Sequence, residues 1–309
     1  MQALIDVILP VFMVVAAGYG VVWRGWMSNE GVEALMKFAQ NFAIPTMLFL
    51  ALARLDLANV FEWRMLLSFY SGAVAGFLAG LLGARFLFRR DWEDAVAVGF
   101  VCLFSNSVLL GLAVSERAYG RESLSANFAI VALHGPFCYA VGIMTMEGVR
   151  ARGAGLTRVL GRVVKGLASN ALVIGIGLGA LVNLTSAPLP QAFMDGADLL
   201  ARAGLPAALF GLGGVLYRYK PEGDLKLIAY AVAVSLLLHP MVTWGMGRAL
   251  AVEPGPFRAA VVTAGMAPGV SAYLFAHMYG RAKRVAASTV LIATLLCVFT
   301  AWGWMTALG

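Results

Sequence analysis

The sequence contains little charge and almost no cysteine. Of its 309 residues, only 13% are Asp, Glu, Lys or Arg, 61% are hydrophobic, and the mean hydropathy is +0.83. A soluble chain carries about 25% charged residues. This composition therefore excludes a soluble enzyme, a disordered chain and, despite the net charge of +7, a nucleic-acid binder. The three cysteines lie inside apolar runs and indicate no disulfide framework: Cys102, Cys138 and Cys297.

Long apolar runs are abundant instead. A helix needs about 20 apolar residues to cross the hydrocarbon layer of a bilayer, and the chain contains ten such runs. They are too long and too continuous for the strands of a membrane barrel. We therefore predict an all-α polytopic membrane protein with ten spans. In chain order the spans are 4–23, 33–53, 65–88, 95–119, 126–147, 163–183, 196–217, 226–249, 258–279 and 287–307.

The loops and span ends form two sets, one on each side of the membrane, and the basic residues are divided unevenly between these sets. One set carries 16 of the 23 Lys and Arg residues, and the other set carries 7. Loops rich in Lys and Arg stay in the cytoplasm. The division predicts an inner-membrane protein with both termini in the periplasm and the basic connection 148–162 in the cytoplasm.

Short motifs recur in the same order in the two halves of the chain. Five helices precede the basic connection and five follow it, so the second half must enter the membrane from the opposite face. We therefore predict two inverted five-helix repeats, 1–147 and 163–309, which is typical of secondary transporters. The matching motifs are Ile44-Pro45-Thr46-Met47-Leu48-Phe49 with Leu205-Pro206-Ala207-Ala208-Leu209-Phe210, 161 residues apart, and Tyr119-Gly120-Arg121 with Tyr279-Gly280-Arg281, 160 residues apart.

Two spans in equivalent positions carry polar or helix-breaking residues near their middle. Span four contains Ser105-Asn106-Ser107, and span nine contains Pro268-Gly269 followed by Ser271. Proline removes a backbone donor and clashes with the preceding turn, so span nine should kink or unwind there. Interrupted helices expose backbone groups to a ligand at the membrane midplane. The alternative is that these polar side chains serve only helix packing.

The same segments resemble the auxin efflux carrier family, including its bacterial members, within the superfamily of bile-acid, arsenite and riboflavin transporters. Span four is similar to the family motif Asn-x-Gly-Phe-x-Gly-Leu-Pro, and span nine to Met-Pro-Pro-Ala-x-Asn-Ala followed by Tyr-Gly. The chain departs from these motifs at Val108 and Ala113, where the family has Gly and Pro, and at Ser271, where it has Asn. The matching segments read Asn106-Ser-Val-Leu-Leu-Gly111-Leu and Met266-Ala-Pro268-Gly-Val-Ser271-Ala with Tyr279-Gly280.

The resemblance implies an elevator-type secondary transporter. Helices 1, 2, 6 and 7 would form a scaffold with kinks at Pro45 and Pro206, and a homodimer through this scaffold is left open. Helices 3–5 and 8–10 would form a transport domain in which helices 4 and 9 cross as broken segments. The candidate substrate-binding residues are Ser105, Asn106, Ser107, Pro268, Gly269, Ser271 and Tyr273.

Ionisable residues are almost absent from the middle of the spans. The acidic residues nearest to spans lie at their ends: Asp6, Glu147, Asp195 and Asp198. A carboxylate cluster for sodium and a carboxylate proton relay are therefore not expected, and neither are a metal centre or a cofactor. His134 and His239 lie mid-span beside prolines and are candidates for proton coupling; His277 lies near the predicted cytoplasmic end. The alternative is a neutral histidine bonded to a carbonyl.

The expected substrate is a small organic anion, a mono- or dicarboxylate. Helix N-termini at the breaks can hold a carboxylate without a buried Arg, whereas a cation would need a carboxylate that the spans lack. Two other functions stay open: a sodium-coupled organic-anion symporter of the bile-acid type, and a channel, for which no ring of filter residues is seen. An intramembrane enzyme is not expected, since no metal-ligand cluster or Ser–His pairing occurs in the spans.

The membrane potential bears on the direction of transport. Moving one elementary charge through 100 mV is worth about 2.3 kcal/mol, and a bacterial interior is negative, so an anion is driven outward. Because no mid-span carboxylate is present to carry a proton, the sequence favours potential-driven export over histidine-dependent proton coupling.

Overall fold

The computed structural model describes residues 4–54, 62–120, 124–150 and 171–309, and within these ranges the regular elements are helices and no strand is formed. The helices of these ranges are, in chain order, α1 (Ile5–Trp23), α2 (Asn29–Ala53), α3 (Trp63–Leu87), α4 (Trp92–Leu103), α5 (Ser107–Gly111 continued by Leu112–Tyr119), α6 (Leu124–Arg150), α7 (Ala171–Thr185), α8 (Gln191–Tyr217), α9 (Leu225–Ala249), α10 (Pro254–Ala264), α11 (Val270–Tyr279) and α12 (Lys283–Leu308).

Seven of these helices are long and apolar enough to cross a membrane: α1, α2, α3, α6, α8, α9 and α12. The prediction of an all-helical polytopic membrane protein is confirmed at this level. The predicted spans 95–119 and 258–279 each correspond to two shorter helices, α4 with α5 and α10 with α11. The helix α7 covers the described part of span 163–183. The count of ten spans stays a prediction, and residues 151–162 of the basic connection lie outside the described residues.

Short π-helical segments precede three of the prolines inside helices, including Pro10 of α1, which follows Leu4–Ile8. In α2, Ala39–Ala43 is π-helical and Pro45 follows, and in α9, Val234–Leu238 is π-helical and Pro240 follows. A proline lacks the amide hydrogen and its ring crowds the preceding turn. A wider π turn just before the proline is a common way to accommodate it without ending the helix. Each helix therefore continues past its proline.

The helices fall into two compact units. The first unit contains Met1–Leu9, Glu62–Val163 and Tyr219–Gly309, and so holds α3 to α6 and α9 to α12. The second contains Pro10–Phe61 and Val164–Arg218, and so holds most of α1 with α2, α7 and α8.

In the second unit, glycines bring two helices into backbone contact. Gly175 and Gly179 of α7 lie one turn apart, and a Cβ built on them would collide with the carbonyl oxygens of Pro45 and Phe49 in α2. Small residues at this spacing let membrane helices approach closely. Gly177 lies between them, and a Cβ there would have no neighbour within 4 Å. The packing of α7 on α2 therefore depends on one face of α7.

The two faces of α7 should respond to alanine with opposite signs. We expect Gly175→Ala to lower the free energy of unfolding by about 1–3 kcal/mol, because the added methyl group meets backbone that cannot rotate away. Gly177→Ala should leave stability unchanged or raise it by up to about 1 kcal/mol, because alanine favours the helix and meets nothing. Thermal unfolding of the purified protein in neutral detergent measures both. Equal losses at the two positions would show that α7 does not pack through this face.

In the first unit, α3 carries three glycines, each one turn from the next, and these let neighbouring helices approach its backbone closely. A Cβ on Gly72 would collide with His239 and Thr243 of α9, and a Cβ on Gly76 would lie 2.6 Å from the carbonyl oxygen of Cys102 in α4. Gly80, one turn further, faces the Cys102 side chain. The α3 helix therefore packs closely on α9 and α4. Residues Ala95–Leu103 of α4 and Ala259–Ala264 of α10 are fully buried, which places the core of this unit around them.

At one end of the first unit, an ion cluster joins α4, α6 and the turn after α11. Glu93, in the first turn of α4, accepts hydrogen bonds from Arg281 and from Arg150, each at 2.8 Å. Arg150 ends α6, and Arg281 follows α11. The guanidinium groups of Arg281 and Arg150 hold the pKa of the Glu93 carboxyl below its ordinary value. Asp91 caps α4 by accepting from the Asp94 amide at 2.8 Å and also pairs with Arg281 at 3.2 Å.

The Glu93 cluster predicts a stability contribution that depends on pH. A carboxyl whose pKa is lowered by folding stabilises the folded state above the ordinary pKa of 4.5 and loses this contribution as the pH falls through its folded value. We therefore expect Glu93→Gln to reduce stability at pH 7 and the difference from the wild type to shrink below about pH 4.5. Thermal unfolding at several pH values measures the difference. A difference that stays constant down to acid pH would contradict the charge-based account.

Candidate functional site

Local chemistry explains why the helical run through span four stops at Leu103. Phe104, Ser105 and Asn106 are not helical, and α5 begins at Ser107. Asn106 caps the new helix: its side-chain oxygen accepts from the Leu109 amide at 3.2 Å. Its backbone oxygen accepts from the Gly111 amide at 2.9 Å. Asparagine is a favoured N-cap residue for this reason, so a helix start is built into the middle of the span.

The second interruption depends on proline and glycine. The helix α10 ends at Ala264, residues 265–269 are not helical, and α11 begins at Val270. Pro268 has no amide to give to a helix. Both Pro268 and Gly269 are buried, so these residues lie in the core of the first unit.

The two interruptions are paired by backbone hydrogen bonds. The Asn106 amide donates to the Ala267 carbonyl at 2.8 Å, and the Gly269 amide donates to the Phe104 carbonyl at 3.2 Å. Ser105 and Pro268 lie opposite each other as an antiparallel bridge. The two donors, Asn106 and Gly269, are 163 positions apart in the sequence, and so are the two acceptors, Phe104 and Ala267. This displacement is close to the 160 and 161 between the repeated sequence motifs.

We call the two paired interruptions, residues 104–106 and 265–269, the crossing. The two helices that begin there, α5 and α11, differ at their N-termini. Asn106 caps α5 with its side chain, whereas no side chain caps α11 at Gly269. Gly269 has φ −76° and ψ 166°, an extended conformation open to any residue, and a Cβ there would lie 3.6 Å from its nearest neighbours. Neither the backbone conformation nor space therefore requires glycine. Its effect is to leave the first-turn amides of α11 without a capping side chain.

Ser105 supplies a polar side chain to the same place. Its residue is 3% exposed, and its hydroxyl oxygen has no hydrogen-bond partner among the described residues. A buried hydroxyl without a partner costs about 1–3 kcal/mol. Ser107 is also buried, and its amide donates to the Ser105 carbonyl at 2.8 Å. The crossing thus combines an uncapped helix N-terminus with an unpartnered hydroxyl group.

Not all of the residues selected from the sequence are grouped at the crossing. Ser105, Asn106, Pro268 and Gly269 are in direct backbone contact there, Ser107 follows at the start of α5, and Ser271 lies half-buried in the first turn of α11. The Tyr273 ring instead packs against Tyr219 at 4.9 Å and His277 at 5.8 Å between ring centroids. Tyr273 is therefore directed along α11 toward its C-terminal end.

The two mid-span histidines flank one phenylalanine. The rings of His134 and His239 each lie 5.4 Å from the Phe69 ring. His134 Nε2 donates to the Ser105 carbonyl at 3.1 Å, because a carbonyl oxygen can only accept. This is the carbonyl-bonded arrangement that the sequence left open. His239 Nε2 is buried without a partner among the described residues. Proton coupling through either histidine stays a prediction.

Asn127 is a buried polar residue that the sequence did not indicate. This residue is 1% exposed in α6, and its amide nitrogen donates to Ser115 Oγ of α5 at 3.1 Å and to Thr263 Oγ1 of α10 at 2.9 Å. It therefore ties together two of the four half-helices at the crossing. Asn127 is the second residue of the predicted span 126–147, where a polar residue is ordinary, so position alone gave no signal.

The other two half-helices are joined by aromatic stacking. The rings of Phe100 in α4 and Phe275 in α11 are parallel within 8°, with centroids 3.8 Å apart. The four half-helices are thus held as two pairs, one by a polar contact and one by an apolar contact. Within the described residues, no three His, Cys, Asp or Glu side chains come together as metal ligands.

Removal of the Asn127 side chain tests the polar contact. We expect Asn127→Ala to lower the free energy of unfolding by about 2–3 kcal/mol, since two buried hydrogen bonds worth about 1 kcal/mol each are lost and a cavity is left. Thr145→Val is the control, because the Thr145 hydroxyl bonds the Val141 carbonyl of its own helix α6. Thermal unfolding in detergent compares the two variants, and Asn127→Ala combined with Thr263→Val should cost less than the sum of the single changes. Additive losses would show that Asn127 and Thr263 do not interact.

A multi-span helical protein whose core is a crossing of interrupted helices has the architecture of a membrane transporter. The comparison with known sequences agrees: the family model described as "Membrane transport protein" matches residues 3–305, so the chain belongs to this family (Mem_trans), which is the auxin efflux carrier family. The resemblance found in the sequence motifs is confirmed.

Several relatives match over nearly their whole length. The "Uncharacterized transporter YfdV" of Escherichia coli (strain K12) is 22% identical over 302 residues, which cover 96% of this chain and 95% of that protein. The "Putative malonate transporter" of Rhizobium meliloti (strain 1021) is 23% identical over 310 residues, with coverages of 98% and 95%. The "Uncharacterized transporter MJ1031" of Methanocaldococcus jannaschii is 21% identical over 311 residues, with coverages of 97% and 98%.

Proposed function

We propose that this transporter moves a small organic anion, a mono- or dicarboxylate, and that the carboxylate binds at the N-terminus of α11. The observation that carries the proposal is the uncapped start of this ten-residue helix at Gly269, inside the core of the first unit. First-turn amides and the helix dipole attract negative charge. The unpartnered Ser105 hydroxyl can donate a further hydrogen bond. Ser271, in the same first turn, supplies a second hydroxyl group.

The charges of the first unit support an anionic substrate over a cationic one. The carboxylates of Asp91 and Glu93 are paired with arginines at the end of the unit, and Asp224 is paired with Arg90. Among the residues described at the crossing, no carboxylate is present to hold a cation. A relative named "Putative malonate transporter" adds a specific probe, since malonate is a short dicarboxylate.

We propose an elevator mechanism in which the first unit carries the substrate and the second unit is the scaffold. The second unit contains α1, α2, α7 and α8, the counterparts of predicted helices 1, 2, 6 and 7. In the first unit, the paired interruptions, the Asn127 contact and the Phe100–Phe275 stack connect the half-helices, as a rigid carrier needs. An apolar groove of about 610 Å³ between α2, α7 and α8 supports a second copy of the chain as the partner of the scaffold.

Substitution of Gly269 tests the binding site. An asparagine at this position would cap α11 with its own side chain and compete with a bound carboxylate. Since a cap is worth about 1 kcal/mol, we expect Gly269→Asn to weaken malonate exchange about fivefold or more, with an unchanged or higher unfolding temperature. Gly269→Ala is the matched control and should retain exchange within about twofold, because a methyl group fits there and cannot cap. The measurement is exchange of radiolabelled malonate by the purified protein in liposomes.

Two results would contradict the proposal. If Gly269→Ala and Gly269→Asn impaired exchange equally, the position would matter for packing and not for capping. If the wild-type protein exchanged neither malonate nor any of a set of short mono- and dicarboxylates, the anion assignment would be wrong.

A further inference from the structure

The arginines in the last turn of α3 and in the turn that joins α3 to α4 differ in whether they pair with a carboxylate. Arg90 pairs with Asp224 at 2.9 Å, and Arg281, which lies beside this turn, pairs with Asp91 and Glu93. In contrast, Arg85 and Arg89 have no carboxylate partner among the described residues. Asp91, Glu93 and Asp224 of this region are thus already paired with other arginines, and Asp94 accepts a hydrogen bond from the Ala282 amide at 3.2 Å. Two positive charges are left at the end of α3.

Arg85 is held in position without an acidic partner. Its guanidinium carbon lies 5.1 Å from the centre of the Trp92 ring, and its Nη1 donates to the Arg90 carbonyl at 3.0 Å. Its Nε is buried and has no hydrogen-bond partner among the described residues. A guanidinium group stacked on an indole ring keeps its edge free for an anion. The side chain is therefore oriented in advance, with donors to spare.

Arg89 occupies a backbone conformation that normally selects glycine. Its φ is +54°, and the turn is closed around it by bonds from the Phe88 amide to the Gly83 carbonyl at 3.1 Å and from the Arg90 amide to the Ala84 carbonyl at 2.9 Å. Glycine is the usual residue at this point of a helix C-terminus. Ser186, Ala251 and Ala282 share this conformation, so it marks a helix boundary and not a function. What distinguishes Arg89 is its positive charge without a carboxylate partner among the described residues.

Large apolar side chains surround these two arginines. Phe86 is 68% exposed, Leu87 is 67% exposed, and Trp92, which contacts Phe86 edge to face, is 42% exposed. Phe86 and Leu87 lie at the end of α3, a helix long and apolar enough to cross the membrane, and Trp92 begins α4. Tryptophan and arginine at the end of a span are typical of the membrane–water interface. The apolar side chains therefore face the acyl region, beside two unpaired positive charges.

We propose that the 85–92 turn is a binding site for the phosphate headgroup of an anionic phospholipid. Arg85 and Arg89 hold the phosphate, and Phe86 and Leu87 contact the first part of the acyl chains. The charge of the site complements a negative headgroup, and the distribution of Lys and Arg in the sequence predicts that this end faces the cytoplasmic leaflet. The site is separate from the crossing and does not depend on the identity of the transported substrate.

The test is a titration of the full-length protein in neutral detergent with phosphatidylglycerol, with bound lipid counted by native mass spectrometry. We expect the double variant Arg85→Gln/Arg89→Gln to bind phosphatidylglycerol at least about tenfold more weakly than the wild type, and phosphatidylcholine to show no difference. The matched control is Arg248→Gln. Arg248 lies over Trp244 at 5.3 Å and has no carboxylate partner among the described residues, but no second arginine follows it in its turn, where the left-handed residue is Ala251. It should bind phosphatidylglycerol like the wild type.

Arg89→Gly separates binding from folding. Glycine adopts φ +54° without strain, so this variant should unfold at the same or a higher temperature than the wild type and yet bind phosphatidylglycerol several times more weakly. Wild-type affinity in the double variant, or an equal loss in Arg248→Gln, would overturn the proposal. So would displacement of the lipid by glycerol 3-phosphate at the same concentration, which would identify a site for free phosphate and not for a lipid.

Discussion

A backbone amide or carbonyl in the hydrocarbon layer must find a partner within the protein. A helix meets this condition by itself, but a helix that stops in mid-membrane does not. In this protein two helix interruptions complete one another: the Asn106 amide bonds the Ala267 carbonyl, and the Gly269 amide bonds the Phe104 carbonyl. Each interruption can exist because the other is present. The uncapped start of α11, the buried Ser105 hydroxyl and the contacts around them all depend on this pairing.

The two paired interruptions differ in how their helices begin. One helix start carries its own cap in Asn106, and the other carries glycine at a position where neither conformation nor space requires it. A symmetric pair of caps would close both N-termini. A symmetric pair of glycines would leave two openings within a few ångströms. The observed combination provides one helix start with a capping side chain and one without.

The sequence predicted best what depends on neighbouring residues. The apolar runs indicated the helices, the polar run Ser105-Asn106-Ser107 and the missing amide of Pro268 indicated where spans four and nine are interrupted, and the motifs around them indicated the family. Contacts across the fold were not accessible in this way. Asn127 resembles an ordinary polar residue at the end of a span until α5 and α10 bring Ser115 and Thr263 to it. Similarly, the direction of Tyr273 depends on Tyr219, 54 positions earlier, which no local pattern relates to it.

The π-helical segments affect how the two halves of the chain can be aligned. A π turn contains one residue more than the α turn it replaces. The helix that leaves the first interruption opens with such a turn, Ser107–Gly111, and reaches its Tyr-Gly end at Tyr119, whereas the helix that leaves the second is a plain α-helix from Val270 to Tyr279. The displacement between the two segments falls from 163 at the interruptions to 160 at the tyrosines, and the extra residue of the π turn accounts for one of these three positions. An alignment of the two halves therefore requires gaps inside these helices, and a single-residue deletion within the π turn would convert it to an ordinary α turn.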